Sequence, residues 1–450
     1  MPTQTLLKIP AQSRILKNTF PILKNCVDFF VKNQLEYGDI YEANVLRYTI
    51  AVITHPDHIR HVLISNKKNY GKSEEYEILK LALGNGLLTS EGEFWKKQRR
   101  IAQPAFYKDS LASFVQTMEA ATLDLIQKYK GNNKGVDTNI GLMFNALTLE
   151  IVANCLFGAE LSNKQHEIHH AVNYANEYLT KKIMTPFYPP FWFPTPSTLQ
   201  FKKSRKEIDD IIFGIIHERQ KRSDTTSKDL LAMLMHTKDE ETGETMTAQQ
   251  LRDEIITLFV AGHETTANAL TWTLYLLGQH PDKFQKLQKE VDQVLDGKSI
   301  SLHNLRELIY TQQVIDESMR LYPPAWTISR KALSTDEIGG YKIPQNAIVS
   351  VNVFGMHRHP DFWEQPNDFV PERFAPEKKK QIPKLAYITF GAGQRMCIGN
   401  NFALMEMKIV LALLVKNLDF KLKNTNQVHY TPLITLKPSE HILMDINSRD

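Results

Sequence analysis

Phe390-Gly391-Ala392-Gly393-Gln394-Arg395-Met396-Cys397-Ile398-Gly399 is the stretch from which the rest of the chain can be read. Glycines permit a tight loop that turns backbone N–H groups towards the Cys397 sulfur. The run from Asn401 to Leu414 then reads as a helix whose positive N-terminal end faces the same sulfur. Both features favour thiolate over thiol. A lone cysteine is usually a buried packing residue. Here the spacing argues otherwise: a Phe, then Gly three positions on, Arg five, Cys seven and Gly nine.

Composition sets the outer bounds. The chain has 450 residues with 54 Lys plus Arg against 50 Asp plus Glu, a formal charge of +4 that is too small for a nucleic-acid binder. Its 42% hydrophobic and 23% charged residues exclude a disordered, collagen-like or disulfide-scaffold protein. Gly and Pro are too few for a chain of tight β-turns, so a helix-rich body is expected. Length alone would allow about three domains of roughly 150 residues. Three cysteines, Cys26, Cys155 and Cys397, form no disulfide framework and point to a reducing compartment. Lys8, Arg14, Lys17 and Lys24 interrupt every apolar stretch near the start, which fits neither a signal peptide nor a membrane span of about 20 residues. A soluble, cytoplasmic protein is expected.

Along the chain, residues 40–46 and 49–53 are β-branched and aromatic and predict strands. Apolar residues at helical spacing predict a helix over 109–129. Residues 185–196 alternate prolines with Phe187, Tyr188, Phe191, Trp192 and Phe193, a rigid apolar loop. One long helix dominates the centre. Thr247 and Gln250 form a capping box, the pattern runs to about His280, and Pro281 stops it. Gly262-His263-Glu264-Thr265-Thr266 puts a polar patch between apolar flanks of this helix, the kind of violation that marks a functional site.

The Cys397 loop and these segments together resemble the cytochrome P450 family along nearly the whole chain. Glu317-Ser318-Met319-Arg320 is similar to its Glu-x-x-Arg pair, and Pro371-Glu372-Arg373-Phe374 to the segment that completes a buried triad. The resemblance implies that Glu317, Arg320 and Arg373 lock the core and take no catalytic step. It implies that Cys397 is the axial thiolate of haem b iron, in a loop framed by Phe390 and Gly399. Trp95 and Arg99 match a Trp-x-x-x-Arg whose end residues bind a haem propionate, with Arg330, Arg395 and Lys72 as further cationic partners. Residues 261–266 look like the oxygen-activation motif: Gly262 leaves room over the iron, and Thr265 with Glu264 relays two protons to bound dioxygen. A zinc His-Glu-x-x-His site is excluded because position 267 is Ala267.

The resemblance implies a mainly α fold with a small β lobe, one haem domain spanning 1–450, and a monomeric monooxygenase of soluble bacterial type. It would insert one atom of O₂ into a substrate C–H bond. No flavin or nicotinamide fingerprint occurs, so electrons are expected from a separate ferredoxin and its NAD(P)H-dependent reductase. Lys96, Lys97, Arg100, Lys378, Lys379, Lys380, Lys384 and Lys408 would attract that donor. The aromatic loop suits a fatty acid or terpenoid. Glu74, Glu75, Glu77, Asn173, Asn176 and Thr327 suit a polar, oxygenated substrate, and a Lys- and Asn-rich chain is similar to P450s of marine polysaccharide degraders that O-demethylate 6-O-methyl-D-galactose. An H₂O₂-using peroxygenase and a non-catalytic haem sensor are the rival classes; the acid–alcohol pair argues against both.

Overall fold

β-branched segments pair into one small sheet, and helices with broad apolar faces build most of the remainder. The computed structural model describes residues 15–45, 48–132, 137–158, 165–185, 188–222, 229–424 and 426–449. Lys8, Arg14, the Pro186-Phe187 pair and the side chains of Lys17, His169 and His170 lie outside the described residues. Helix α1 (Ile15–Tyr37) leads into the antiparallel hairpin of β1 (Ile40–Val45) and β2 (Tyr48–Ile53). The short β3 (Tyr70–Gly71) follows, then α2 (Glu75–Leu83), α3 (Gly92–Ala102), α4 (Ile140–Phe157), α5 (Gln165–Met184) and α6 (Pro196–Arg222). The central α7 (Ala248–Gln279) and α8 (Ile309–Leu321) precede β4 (Thr327–Ala332) and β5 (Ile348–Asn352), and α9 (Asn400–Asn417) follows the Cys397 loop. The five-stranded sheet has the order β1-β2-β5-β4-β3, with β2 and β5 parallel. A mainly helical molecule with a small β lobe is what the sequence predicts.

The capping box at the start of α7 forms as expected: Gln250 N–H donates to Thr247 Oγ1 and Thr247 N–H to Gln250 Oε1. Its 32 residues extend about 48 Å. Helix α4 packs along it. Among the described residues α4 is the one helix apolar and long enough to cross a membrane, yet 67% of it is buried inside the protein.

Two expectations are corrected. The helix predicted over 109–129 is broken into Lys108–Ala112 and Val115–Asn132. Ser113 Oγ donates to the Ser110 carbonyl, competing with the helix, and Phe114 turns inward against Phe402. Gly262 does not face the Cys397 side of α7. A Cβ there would meet Val152 Cγ2 of α4 at 3.1 Å, so the missing side chain serves the close approach of two helices.

The Glu317 triad is buried as the resemblance implied. Arg320 Nε and Nη2 donate to the two Glu317 oxygens at 2.7 and 2.8 Å, and Arg373 Nε donates at 3.2 Å. Arg320 also holds the carbonyls of His357, Pro366 and Asp368. Both Glu317 and Arg320 are fully buried, so removing one partner strands the other's charge. Glu317→Ala is expected to cost about 3–5 kcal/mol, read as a lower denaturation midpoint in urea.

Candidate functional site

The Cys397 loop takes its shape from glycine. Gly391 and Gly393 sit at φ +73° and +71°, a region that disfavours any Cβ. At Gly393 a Cβ would also lie 2.4 Å from the Leu63 carbonyl oxygen. Cys397 N–H donates to the Phe390 carbonyl at 2.9 Å, closing the loop. Cys26 and Cys155 are buried in the core, whereas Cys397 is exposed. The Gly399 N–H and the Arg99 charge both favour its thiolate, but burial of the surrounding site outweighs them and pushes the thiol up. The loop N–H thus acts in the expected direction, and burial opposes it. A metal bound at the sulfur would remove the proton outright.

Cations converge beside the same loop. Lys72, Arg330 and Arg395 feel one another's charge, and Glu91 is the acid that answers them. Arg330 and Arg395 against Glu91 leave an excess of one charge, and Lys72, held low by its neighbours, can take up a proton when a further anion such as a haem propionate is bound beside it. Arg330 is only 8% exposed, with Nη1 donating to the Ser329 carbonyl. Arg395 lies over the Trp95 ring at 4.3 Å and donates to the Ser90 carbonyl. Lys72 Nζ sits 3.9 Å from the Tyr76 ring centroid. Arg99 lies against the Cys397 loop. Its Nη1 donates to the Met396 carbonyl and its Nε to Gln103, so it braces the Cys397 loop and acts on the sulfur. Trp95 is the platform under Arg395.

On α7, Thr265 Oγ1 donates to the Ala261 carbonyl at 2.6 Å, and Ala261, one turn earlier on the same face, is exposed. Glu264 is held by two neutral donors. Asn176 Nδ2 of α5 reaches Oε2 at 3.0 Å, and Thr435 Oγ1 reaches Oε1 at 2.8 Å. Thr435 in turn accepts from Asn268 Nδ2 at 3.1 Å. Glu91, Ser90, Tyr76 and Thr435 carry no motif, and sequence reasoning did not place them. Glu406, on α9 beyond Cys397, is fully buried, and burial pushes its carboxyl well above the usual range.

Of the residues offered for a polar pocket, Asn176 reaches Glu264, whereas Glu74, Glu75, Glu77 and Thr327 are engaged elsewhere. Glu74 pairs with Lys331, Glu77 with Lys80, and Glu75 accepts from Ser73. Thr327 binds Ser350 and the Val351 carbonyl within the sheet. In the aromatic loop, Trp192 is 76% exposed and Phe193 49%, turned outward, while Phe191 packs on Phe201. The basic face is partly neutralised: Lys96, Lys97, Arg100 and Lys379 pair with acids, and Lys408 holds the Leu305 carbonyl. Lys378, Lys380 and Lys384 are exposed, with no ion pair among the described residues. Those residues also contain no His, Cys, Asp and Glu cluster able to hold a metal ion.

A haem-thiolate protein is the class this fold and site define. The model of the cytochrome P450 family matches residues 14–444, and the chain belongs to that family. It is 31% identical to cyclooctatin synthase of Streptomyces melanosporofaciens, over 85% of this chain and 83% of that one. Cyclooctat-9-en-7-ol 5-monooxygenase of the same organism is 29% identical, over 90% and 87%. The bifunctional cytochrome P450/NADPH–P450 reductase 2 of Bacillus subtilis is 32% identical over 79% of this chain, which covers 34% of that longer protein. The crystal structure of the cytochrome P450DA heme domain has the same fold, with a TM-score of 0.90 at 24% identity over 99% of this chain and 98% of that one. The protein is a cytochrome P450 monooxygenase that carries a thiolate-ligated haem and acts on a small molecule with O₂ and a redox partner.

Burial and the charges of Arg395 and Arg330 bring the Lys72 ammonium down to about 6 from the usual 10.5. The unfolded chain then binds more protons between these values, so haem-free protein gains stability as pH rises through the window. Lys72→Met is expected to flatten that rise and to raise the haem-free unfolding midpoint at neutral pH, while weakening haem retention. Denaturant melts across the window, with and without haem, measure both effects.

Proposed function

We propose that the chain is one haem domain in which Cys397 ligates the iron of haem b, and that it hydroxylates a largely apolar substrate. The single observation behind this reading is that Arg330 and Arg395, with Lys72 beside them, gather by the glycine-shaped loop that exposes Cys397. Lys72, Arg330 and Arg395 would receive the propionates, with Trp95 supporting Arg395. Bound haem supplies the oxygen-activating iron, and the thiolate ligand enriches it in electron density.

The protein's own part is to place the substrate and to time protons. Thr265 spends its hydrogen on the Ala261 carbonyl, leaving its lone pairs free to accept from a neighbour on the cleft side. Glu264 is adjacent in sequence but turned about 100° around the helix. Asn176 and Thr435 hold its carboxylate towards α5 and away from Thr265. A shift of α5 breaks the Asn176 contact and frees Glu264 to deliver protons through water to Thr265. Substrate seated under α5 thus governs the acid.

The apolar reading is supported by the engagement of Glu74, Glu75, Glu77 and Thr327 in contacts of their own. It is also supported by the relative named for cyclooctat-9-en-7-ol, an unsaturated alcohol. For electrons we propose a separate acidic ferredoxin with an NAD(P)H-dependent reductase, attracted by Lys378, Lys380 and Lys384.

Turnover under isotopically labelled dioxygen with a surrogate ferredoxin pair tests the reading. One labelled atom is expected in the product of a cyclic terpene alcohol or fatty acid. Unlabelled product, or turnover that H₂O₂ alone supports equally well, overturns it. Formaldehyde from 6-O-methyl-D-galactose would instead establish O-demethylation. Cys397→Ser is expected to abolish the thiolate signature of the reduced CO complex, and Thr265→Ala to divert about tenfold more of the consumed oxygen to peroxide.

Asn176→Leu separates the clamp from the chemistry. It is expected to leave haem content and the CO complex unchanged, while NAD(P)H is oxidised without substrate several-fold faster than in the parent, a ratio that stopped-flow and peroxide assays read directly.

A further inference from the structure

A groove of about 810 Å³ lies away from the haem cleft, between α1, the C-terminal end of α7 and the segment around Tyr430. Its α7 wall begins at Leu276, eleven residues beyond Thr265 and so about 16 Å along the helix. Four aromatic rings line it: Tyr322, Phe354, Phe369 and Tyr430. Phe354 and Tyr430 lie 5.1 Å apart, and Tyr322 is backed by a parallel stack on Trp272 at 3.9 Å. Arg358 is set among them, its guanidinium carbon 3.6 Å from the Phe354 ring centroid. Arg358 Nη1 is enclosed and has no hydrogen-bond partner, and among the described residues the side chain makes no ion pair.

That is an unusual state for an arginine. A buried cation normally meets a carboxylate, since burial without a partner is costly. The acid beside it, Asp28, is already taken: Tyr430 Oη donates to its Oδ1 and Asn25 Nδ2 to its Oδ2. Burial and the nearby Arg320 charge lower the Arg358 guanidinium to about 10, which still leaves it charged at neutral pH. Lys32 adds a second cation at the rim, and His280 is engaged by the Leu276 carbonyl; the acid on the outer edge, Asp368, is exposed. A planar donor fork above an aromatic floor matches a carboxylate joined to a flat apolar body.

We propose that this groove is a second ligand site, for a small aromatic or alicyclic carboxylate whose head sits on Arg358 and whose body lies against Phe354, Tyr322 and Tyr430. Ligand there touches α1 and the end of α7 together, the helix that also carries Glu264 and Thr265.

The holoenzyme saturated with a haem-coordinating azole, its cleft thereby closed, is titrated with 2-naphthoate by calorimetry. The azole's shift of the haem band reports the first site independently, so failure of the haem reading and failure of this one are distinguishable. One equivalent of 2-naphthoate is expected to bind. Methyl 2-naphthoate, lacking the charge, is expected to bind about tenfold more weakly or worse. Arg358→Gln should abolish binding. Because that side chain is largely buried, Gln427→Trp at the exposed rim is used as well, filling the groove while leaving the azole shift intact. Absence of stoichiometric binding, equal affinity for the methyl ester, or unchanged binding in Gln427→Trp overturns the proposal.

Discussion

Where the sulfur of Cys397 sits is decided by a carboxylate eighty residues earlier in the chain. Glu317 fixes Arg320, whose Nη1 holds the His357 carbonyl; His357 Nδ1 in turn meets the Arg320 carbonyl. The other ring nitrogen of His357 accepts from the Ile388 N–H at 2.9 Å, and the Ile388 carbonyl accepts from Gly391. The loop then closes with Cys397 N–H on Phe390. Burial pushes His357 down to about 3, so it is neutral and can offer one nitrogen as acceptor while the other donates. Each link is a buried hydrogen bond whose loss leaves a polar group unpaired, so the chain transmits position from α8 to the sulfur with little slack.

On the opposite side of the cleft the same economy appears in a looser form. Gly262 lets α7 settle against α4, and Thr148 Oγ1 donates to the His263 carbonyl, so the turn carrying Ala261 and Thr265 is anchored from behind. Glu264 is tied instead to α5 and to Thr435, a residue in the turn after Tyr430. Two rigid walls thus face each other, while the acid between them hangs on neutral donors that can let go. Neutral donors suit that task, because a charged partner would hold the carboxylate with roughly twice the strength.

What was legible in the sequence was what is local. The Thr247–Gln250 cap, the glycines of the Cys397 loop and the Glu317–Arg320 spacing are each written within a few residues, and each forms as read. Roles that depend on a distant partner were not. Arg99 was placed by spacing alone, and the contact the sequence could not show is the Met396 carbonyl, 297 positions away, to which it donates. Lys72 was named beside Arg330 and Arg395 from the sequence, but the pairing of β3 with β4 that brings them together was not legible there. Glu74, Glu75 and Glu77 looked like pocket polarity because charge along a helix does not reveal which face meets solvent. Gly262 was read towards the iron for the same reason: the face it occupies is set by where Val152 lies.

The cluster of Lys72, Arg330 and Arg395 has a consequence for which tetrapyrrole the cleft would keep. Shape is a forgiving criterion, since a porphyrin is a flat disc and an apolar slot accepts many discs. Charge is not forgiving in a site this enclosed: a macrocycle with esterified or missing acid arms leaves buried cations uncompensated, at several kcal/mol each. If Lys72, Arg330 and Arg395 hold the cofactor's acid arms as we propose, they select a dianionic macrocycle over its neutral precursors or derivatives before any chemistry begins.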